Sequence, residues 1–149
     1  MESQKTLTSI KDLIVINNDR YEGYKTAAEE TKDADLKSMF TEFSLQSKGF
    51  AQELRQFVPD FKEQPKNDET KNTGKMYRAW MDLKAAVTGN NRKAILSSCE
   101  FGEDVAKKHY EEALEHTADL PSGALEIVQK QSTEIKKGHD KVKSMRDSA

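Results

Sequence analysis

The chain has 149 residues, with 24 Lys+Arg against 26 Asp+Glu and a formal net charge of −2, which is one domain's worth of protein without the basic excess of a nucleic-acid binder. Charged residues make up 34% and hydrophobic residues 35%, with a mean hydropathy of −0.87, so a core must be a narrow seam, and no apolar run approaches the roughly 20 residues of a membrane span. A lone Cys99 excludes an internal disulfide, and the stretch from Met1 to Lys11 lacks the apolar region of a secretion signal, so the cytoplasm is the expected compartment.

Seven glycines and three prolines cut the chain into long segments whose apolar residues recur near every 3.6 positions. The first, about Thr6 to Thr31, puts Ile10, Leu13, Ile14, Tyr21, Tyr24 and Ala28 on one face. Asp33 is placed to cap a second helix running to Val58 with Leu36, Met39, Phe40, Phe43, Phe50, Leu54 and Phe57 inward. Residues 59–74 have the composition of an extended crossover, and a short helix over residues 75–88 carries Met76, Trp80, Leu83 and Val87, with Tyr77 and Met81 beside them. Gly89-Asn90-Asn91 stops it and can cap a fourth helix, about Arg92 to Glu115, whose inner face holds Ile95, Cys99, Gly102, Ala106, Tyr110 and Ala113. The last helix takes Pro121 in its first turn and points Leu125, Val128, Ile135, Val142 and Met145 inward. The pattern predicts an all-α single domain over residues 1–149, a four-helix bundle with a short extra helix in the crossover between the second and third bundle helices.

Polar residues on the apolar stripes are the candidate functional positions, because a buried polar group without a partner costs about 1–3 kcal/mol. Asn17, Ser47, Ser132 and His139 fall within stripes, and Glu103, His109 and Gln131 lie at their edges. These side chains either fix register through interhelical hydrogen bonds or hold a ligand inside the bundle. A dinuclear iron centre needs two Glu-x-x-His motifs, and the chain has none: the residues three before His109, His116 and His139 are Ala106, Ala113 and Lys136. A looser metal site remains open to Glu103 and His139, with Glu100 or His109 nearby, and iron or zinc as the ion. A small organic ligand could be held by Asn17, Tyr24 and Gln131. Cys99 has no Cys-x-x-Cys partner and is expected in the core, and no phosphate loop, dinucleotide fingerprint or Gly-x-Ser-x-Gly occurs.

Four landmarks carry a family resemblance: Asn17-Asn18-Asp19-Arg20-Tyr21-Glu22-Gly23-Tyr24, Tyr77-Arg78-Ala79-Trp80-Met81-Asp82-Leu83-Lys84, Cys99-Glu100-Phe101-Gly102-Glu103-Asp104, and His139-Asp140. Together they resemble a bacterial family of ferritin-like four-helix-bundle proteins built on a domain of unknown function. The resemblance implies a ferritin-like bundle and no assigned activity, and fold alone does not carry function. The expectation is a non-enzymatic structural or interaction protein, connected with stress, with no resident cofactor, no nucleic acid or membrane partner, and a second copy or another protein as partner. Trp80, Tyr77 and Met81 spread apolar residues over a wide arc of the short helix, which reads as core plus cover; if that helix exposes them, they are the best candidate for a contact between copies. The alternative is the atypical carboxylate and histidine metal site.

Overall fold

The computed structural model describes residues 4–62 and 74–149, with side chains from residues 8 and 76 onward in the two stretches. Five α-helices carry the described chain: α1 (Gln4–Glu30), α2 (Ala34–Arg55), α3 (Gly74–Gly89), α4 (Arg92–Glu115) and α5 (Ala124–Asp147), with a 3-10 turn at Thr117–Asp119. No strand occurs among the described residues.

Helix directions follow from which residues meet. Lys37 Nζ reaches the Ala28 carbonyl, Ser44 Oγ the Tyr21 carbonyl and Arg20 the Ser47 hydroxyl, so α1 and α2 are antiparallel. Asn17 meets Tyr110 while Arg20 meets Glu103, which sets α4 antiparallel to α1. Gln131 reaches Phe50 and Glu53, and a Cβ on Gly138 would touch Phe43, so α5 is antiparallel to α2. Every neighbouring pair in the ring α1, α2, α5, α4 is therefore antiparallel. The helices α2 and α4, which follow one another in the bundle, lie diagonally and run in the same direction.

That topology demands a crossover of the full bundle length. Arg92 at the start of α4 forks onto Asp35 at 2.6 and 3.0 Å and reaches Asp33 at 3.4 Å, pinning α4's first residue beside α2's first turn. The chain leaves α2 at the far end and must climb back, and the 16 residues of α3 supply about 24 Å of that climb at 1.5 Å per residue. α3 lies in the groove between α1 and α4, and Trp80 is its anchor. A Cβ on Gly23 would sit 2.6 Å from Trp80 Cδ2, and one on Gly102 would sit 3.0 Å from Cη2, so the indole fills space that only two glycines leave open. The Tyr24 ring meets the indole edge-on, with centroids 4.6 Å apart. Burial is tight enough that Trp80 Nε1 has no hydrogen-bond acceptor.

The seam is filled by Ile10, Leu13, Ile14, Leu36, Phe40, Leu54, Ile95, Leu96, Val128, Ile135 and Val142, all at or below 1% exposure. Some local expectations change. Asp33 stands at the α2 N-cap position, yet its side chain makes no cap bond and turns to Arg92 instead. α2 ends at Arg55, and Val58 is buried from the turn that follows. Pro121 precedes α5 rather than entering it: Gly123, at φ +84°, bends the chain in and Ala124 opens the helix. The buried stripe of α5 runs through Ala124, Val128, Gln131, Ile135, Gly138 and Val142 at spacings of four and three, and Leu125, one position off it, is 38% exposed. Asn91 caps α4 as expected, its side chain accepting from the Ala94 amide at 2.9 Å. Most of the expected extended crossover, residues 63–73, lies outside the described residues.

Candidate functional site

At the centre of the bundle a charged pair is sealed from water. Arg20 from α1 and Glu103 from α4 are both 0% exposed, and the guanidinium donates twice, Nε to Oε2 at 2.8 Å and Nη2 to Oε1 at 2.9 Å. The Tyr24 hydroxyl donates to the same Oε2 at 2.8 Å. Nη1 of Arg20 turns to α2, where Ser47 Oγ (2.7 Å), Gln46 Oε1 (2.9 Å) and the Phe43 carbonyl (3.4 Å) accept. Phe43 also lays its ring against the guanidinium, 4.9 Å from centroid to Cζ.

From Ser47 the network continues toward the other end of the seam. Ser47 donates to Asn17 Oδ1 at 3.0 Å, and Asn17 Nδ2 donates to the Leu13 carbonyl at 2.8 Å and to the Tyr110 hydroxyl at 2.7 Å. Tyr110 donates to Gln131 Oε1 at 2.6 Å, and Gln131 Nε2 donates to Glu53 Oε1 at 3.0 Å and the Phe50 carbonyl at 3.3 Å. All four bundle helices contribute. The direction is fixed from end to end, because Arg20 can only donate, the Glu53 carboxylate can only accept, and the two amides between them have distinct ends.

Burial alone opposes the Arg20 charge, but the Glu103 carboxylate outweighs it and holds the guanidinium above its ordinary value. Burial first, then Glu103, pushes both the Tyr24 phenol and the Cys99 thiol well above their ordinary values. Burial likewise raises Tyr110, against the Asn17 hydrogen bond. Each stays protonated at neutral pH, and a thiol in that state is a poor nucleophile. Cys99 is thus a small core residue, 0% exposed.

The residues singled out from the sequence separate by location. Asn17, Tyr24, Ser47 and Gln131 are members of the buried network, as is Glu103, whereas Ser132 is half-buried on α5. Glu100 and His139 meet on the outer groove between α4 and α5. There Asp104 is the third member, and one ligand-type atom from each lies within 4.8 Å of the others. Glu103 is not in that group, because it points into the core and spends both oxygens on Arg20. His109 is elsewhere too, half-buried beside an open cleft of about 270 Å³ that it shares with His116, Asp12, Glu112 and Asp119. Arg20 was missed as a site residue. It sits three after Asn17 and four before Tyr24, so the stripe included it, but an arginine is read as outward unless a partner is known.

The pattern of DUF2383, a domain of unknown function, matches residues 5–116. The chain belongs to this family. The match spans α1 to the end of α4 and takes in Asn17, Arg20, Tyr24, Trp80, Cys99 and Glu103, while α5 with Gln131 and His139 lies beyond it. No curated protein and no solved structure shows a match to the chain.

Proposed function

We propose that this protein is a ferritin-like bundle acting as a non-enzymatic structural or interaction protein, its interior occupied by a permanent ion pair instead of a metal centre. The observation that carries this reading is the bidentate contact of Arg20 with Glu103 at zero exposure. Metal centres inside bundles are built from carboxylates whose charge the metal balances. Here the fixed guanidinium balances the core carboxylate and takes the oxygens a metal would use. The rest of the network supports the same reading, since a guanidinium and two amides hold their protons and make poor relays for acid–base chemistry. The up-down-down-up order, with α2 and α4 parallel and a long crossover between them, supports the ferritin-like description, and a bacterial cytoplasmic role in stress goes with it. A second copy or another protein is the partner expected of such a scaffold. With Trp80 buried, that contact falls to the exposed apolar side chains Met81 and Phe101, 47% and 48% accessible.

The test is consumption of dioxygen or peroxide by purified protein supplied with ferrous iron, compared with Glu103→Gln. The reading expects no turnover above buffer from either. Turnover by the wild type that the variant abolishes would overturn it.

A further inference from the structure

We propose that the outer groove between α4 and α5 is a divalent transition-metal site of the zinc type, with Glu100, Asp104 and His139 as ligands. Glu100 and Asp104 stand one turn apart on one face of α4, and the antiparallel α5 brings His139 against both. His139 Nε2 is 2.6 Å from Asp104 Oδ1, and the three donor atoms fall within 4.8 Å of one another. Bonds of about 2.0–2.2 Å to nitrogen and oxygen require only a modest contraction of that triangle. Glu100 and His139 need little further ordering, their side chains being 13% and 12% exposed, whereas Asp104, 51% exposed, is the arm that can adjust.

The surroundings fit a metal in two further ways. Asp140 Oδ1 lies 3.1 Å from His139 Nδ1, where it can accept from an Nδ1–H when Nε2, which faces Asp104 Oδ1 at 2.6 Å, takes the metal, the outer arrangement that orients a metal-binding imidazole. Two carboxylates and a neutral imidazole also balance a dication. Without a metal that charge falls to cations, and Arg146 ion-pairs with Glu100. Arg146 already donates to Asp147 through Nη2 at 2.8 Å and Nε at 3.2 Å, so it can yield Glu100 while keeping a partner. An imidazole with only two carboxylates favours zinc and its neighbours over magnesium or calcium, which take six or more oxygens. The site is separate from the core: Glu103, beside Asp104 in sequence, is buried where Asp104 is exposed.

Titration of metal-stripped protein with zinc by calorimetry, and with cobalt by its visible absorption, tests this. One zinc per chain is expected, with His139→Ala and the exposed Asp104→Asn each weakening binding by about tenfold or more. The double variant His109→Ala/His116→Ala should bind as the wild type does, and Arg146→Ala should bind more tightly. The site is refuted by the absence of saturable binding below ~1 mM, a Kd scale of about −4 kcal/mol. Binding that survives His139→Ala, binding lost with the other two histidines, or an affinity unmoved by Arg146→Ala would each overturn the three-ligand assignment as well.

Discussion

Arg20 and Glu103 lie in the one place where charge is most expensive, and they persist there because every donor and acceptor finds a partner. Removing one member leaves the other buried and uncompensated. Arg20→Ala or Glu103→Ala should therefore cost about 3–5 kcal/mol, seen as a lower urea midpoint. Removing both at once has a different sign. Arg20→Met/Glu103→Leu keeps the volume apolar, and its midpoint should match or exceed that of the wild type, the pattern known for buried ion pairs replaced by packed hydrophobes. A double variant as unstable as the singles would show that the surrounding hydroxyls and Gln46, not the pair, carry the cost. Asn17→Leu strips Ser47 of its acceptor and Tyr110 of its donor, and a loss of about 1–3 kcal/mol is expected for the unpaired groups. An unchanged midpoint would mean that water enters the seam to replace the amide.

Among the helices, α3 docks through the buried Met76, Ala79, Trp80, Leu83 and Val87, and Trp80 is the one that two glycines admit. Trp80 enters between Gly23 and Gly102, where a methyl group on either meets the indole at 2.6 or 3.0 Å. Gly23→Ala must displace the ring, and overpacking of this kind costs about 1–3 kcal/mol. Since Trp80 is the chain's single tryptophan, its fluorescence should shift to the red in that variant, and amide exchange should accelerate in α3 before the other helices. A spectrum identical to the wild type would show that α1 recoils instead and α3 stays docked. Gly49→Ala is the matched control. Nothing lies within 4 Å of its would-be Cβ in the middle of α2, so helix propensity alone should raise stability by about 0.5–1 kcal/mol.

Over the whole molecule, the buried phenols and thiol make folding sensitive to base. Tyr24, Tyr110 and Cys99 all hold their protons in the folded state above the ordinary values of 10.0 for the phenols and 9.0 for the thiol. The unfolded chain ionises first, so it binds fewer protons and gains as pH rises. The stabilisation is thus complete below about pH 8.5 and falls progressively through the range where free thiol and phenol ionise, toward the higher folded values. Denaturant midpoints measured from pH 7 to 11 should stay level and then drop, and a thiol reagent should reach Cys99 only as the drop begins. Fast labelling of Cys99 in the stable range would show that α3 opens to expose it without global unfolding.

Much of this architecture was legible in the residues. Helical spacing alone marked four long amphipathic segments and a short one, because a 3.6-residue period survives any tertiary context. The polar interruptions Asn17, Ser47 and Gln131 stood out on those stripes for the same reason, and they are members of the core network. Pairing was not legible. Arg20 and Glu103 are 83 residues apart, and nothing local says that an arginine on an inner face will meet a carboxylate from another helix. Nor does a stripe say which of two adjacent acids faces in: less than a third of a turn separates Glu103 from Asp104, and only the packing of α4 between α1 and α5 sends the first to the core and the second to the groove with Glu100 and His139. The sequence by itself determined helices, their inner faces and the absence of familiar catalytic spacings. The tertiary structure decided which charges are buried, which glycines admit Trp80 and which ligands meet, because those depend on distances between segments that no local pattern encodes.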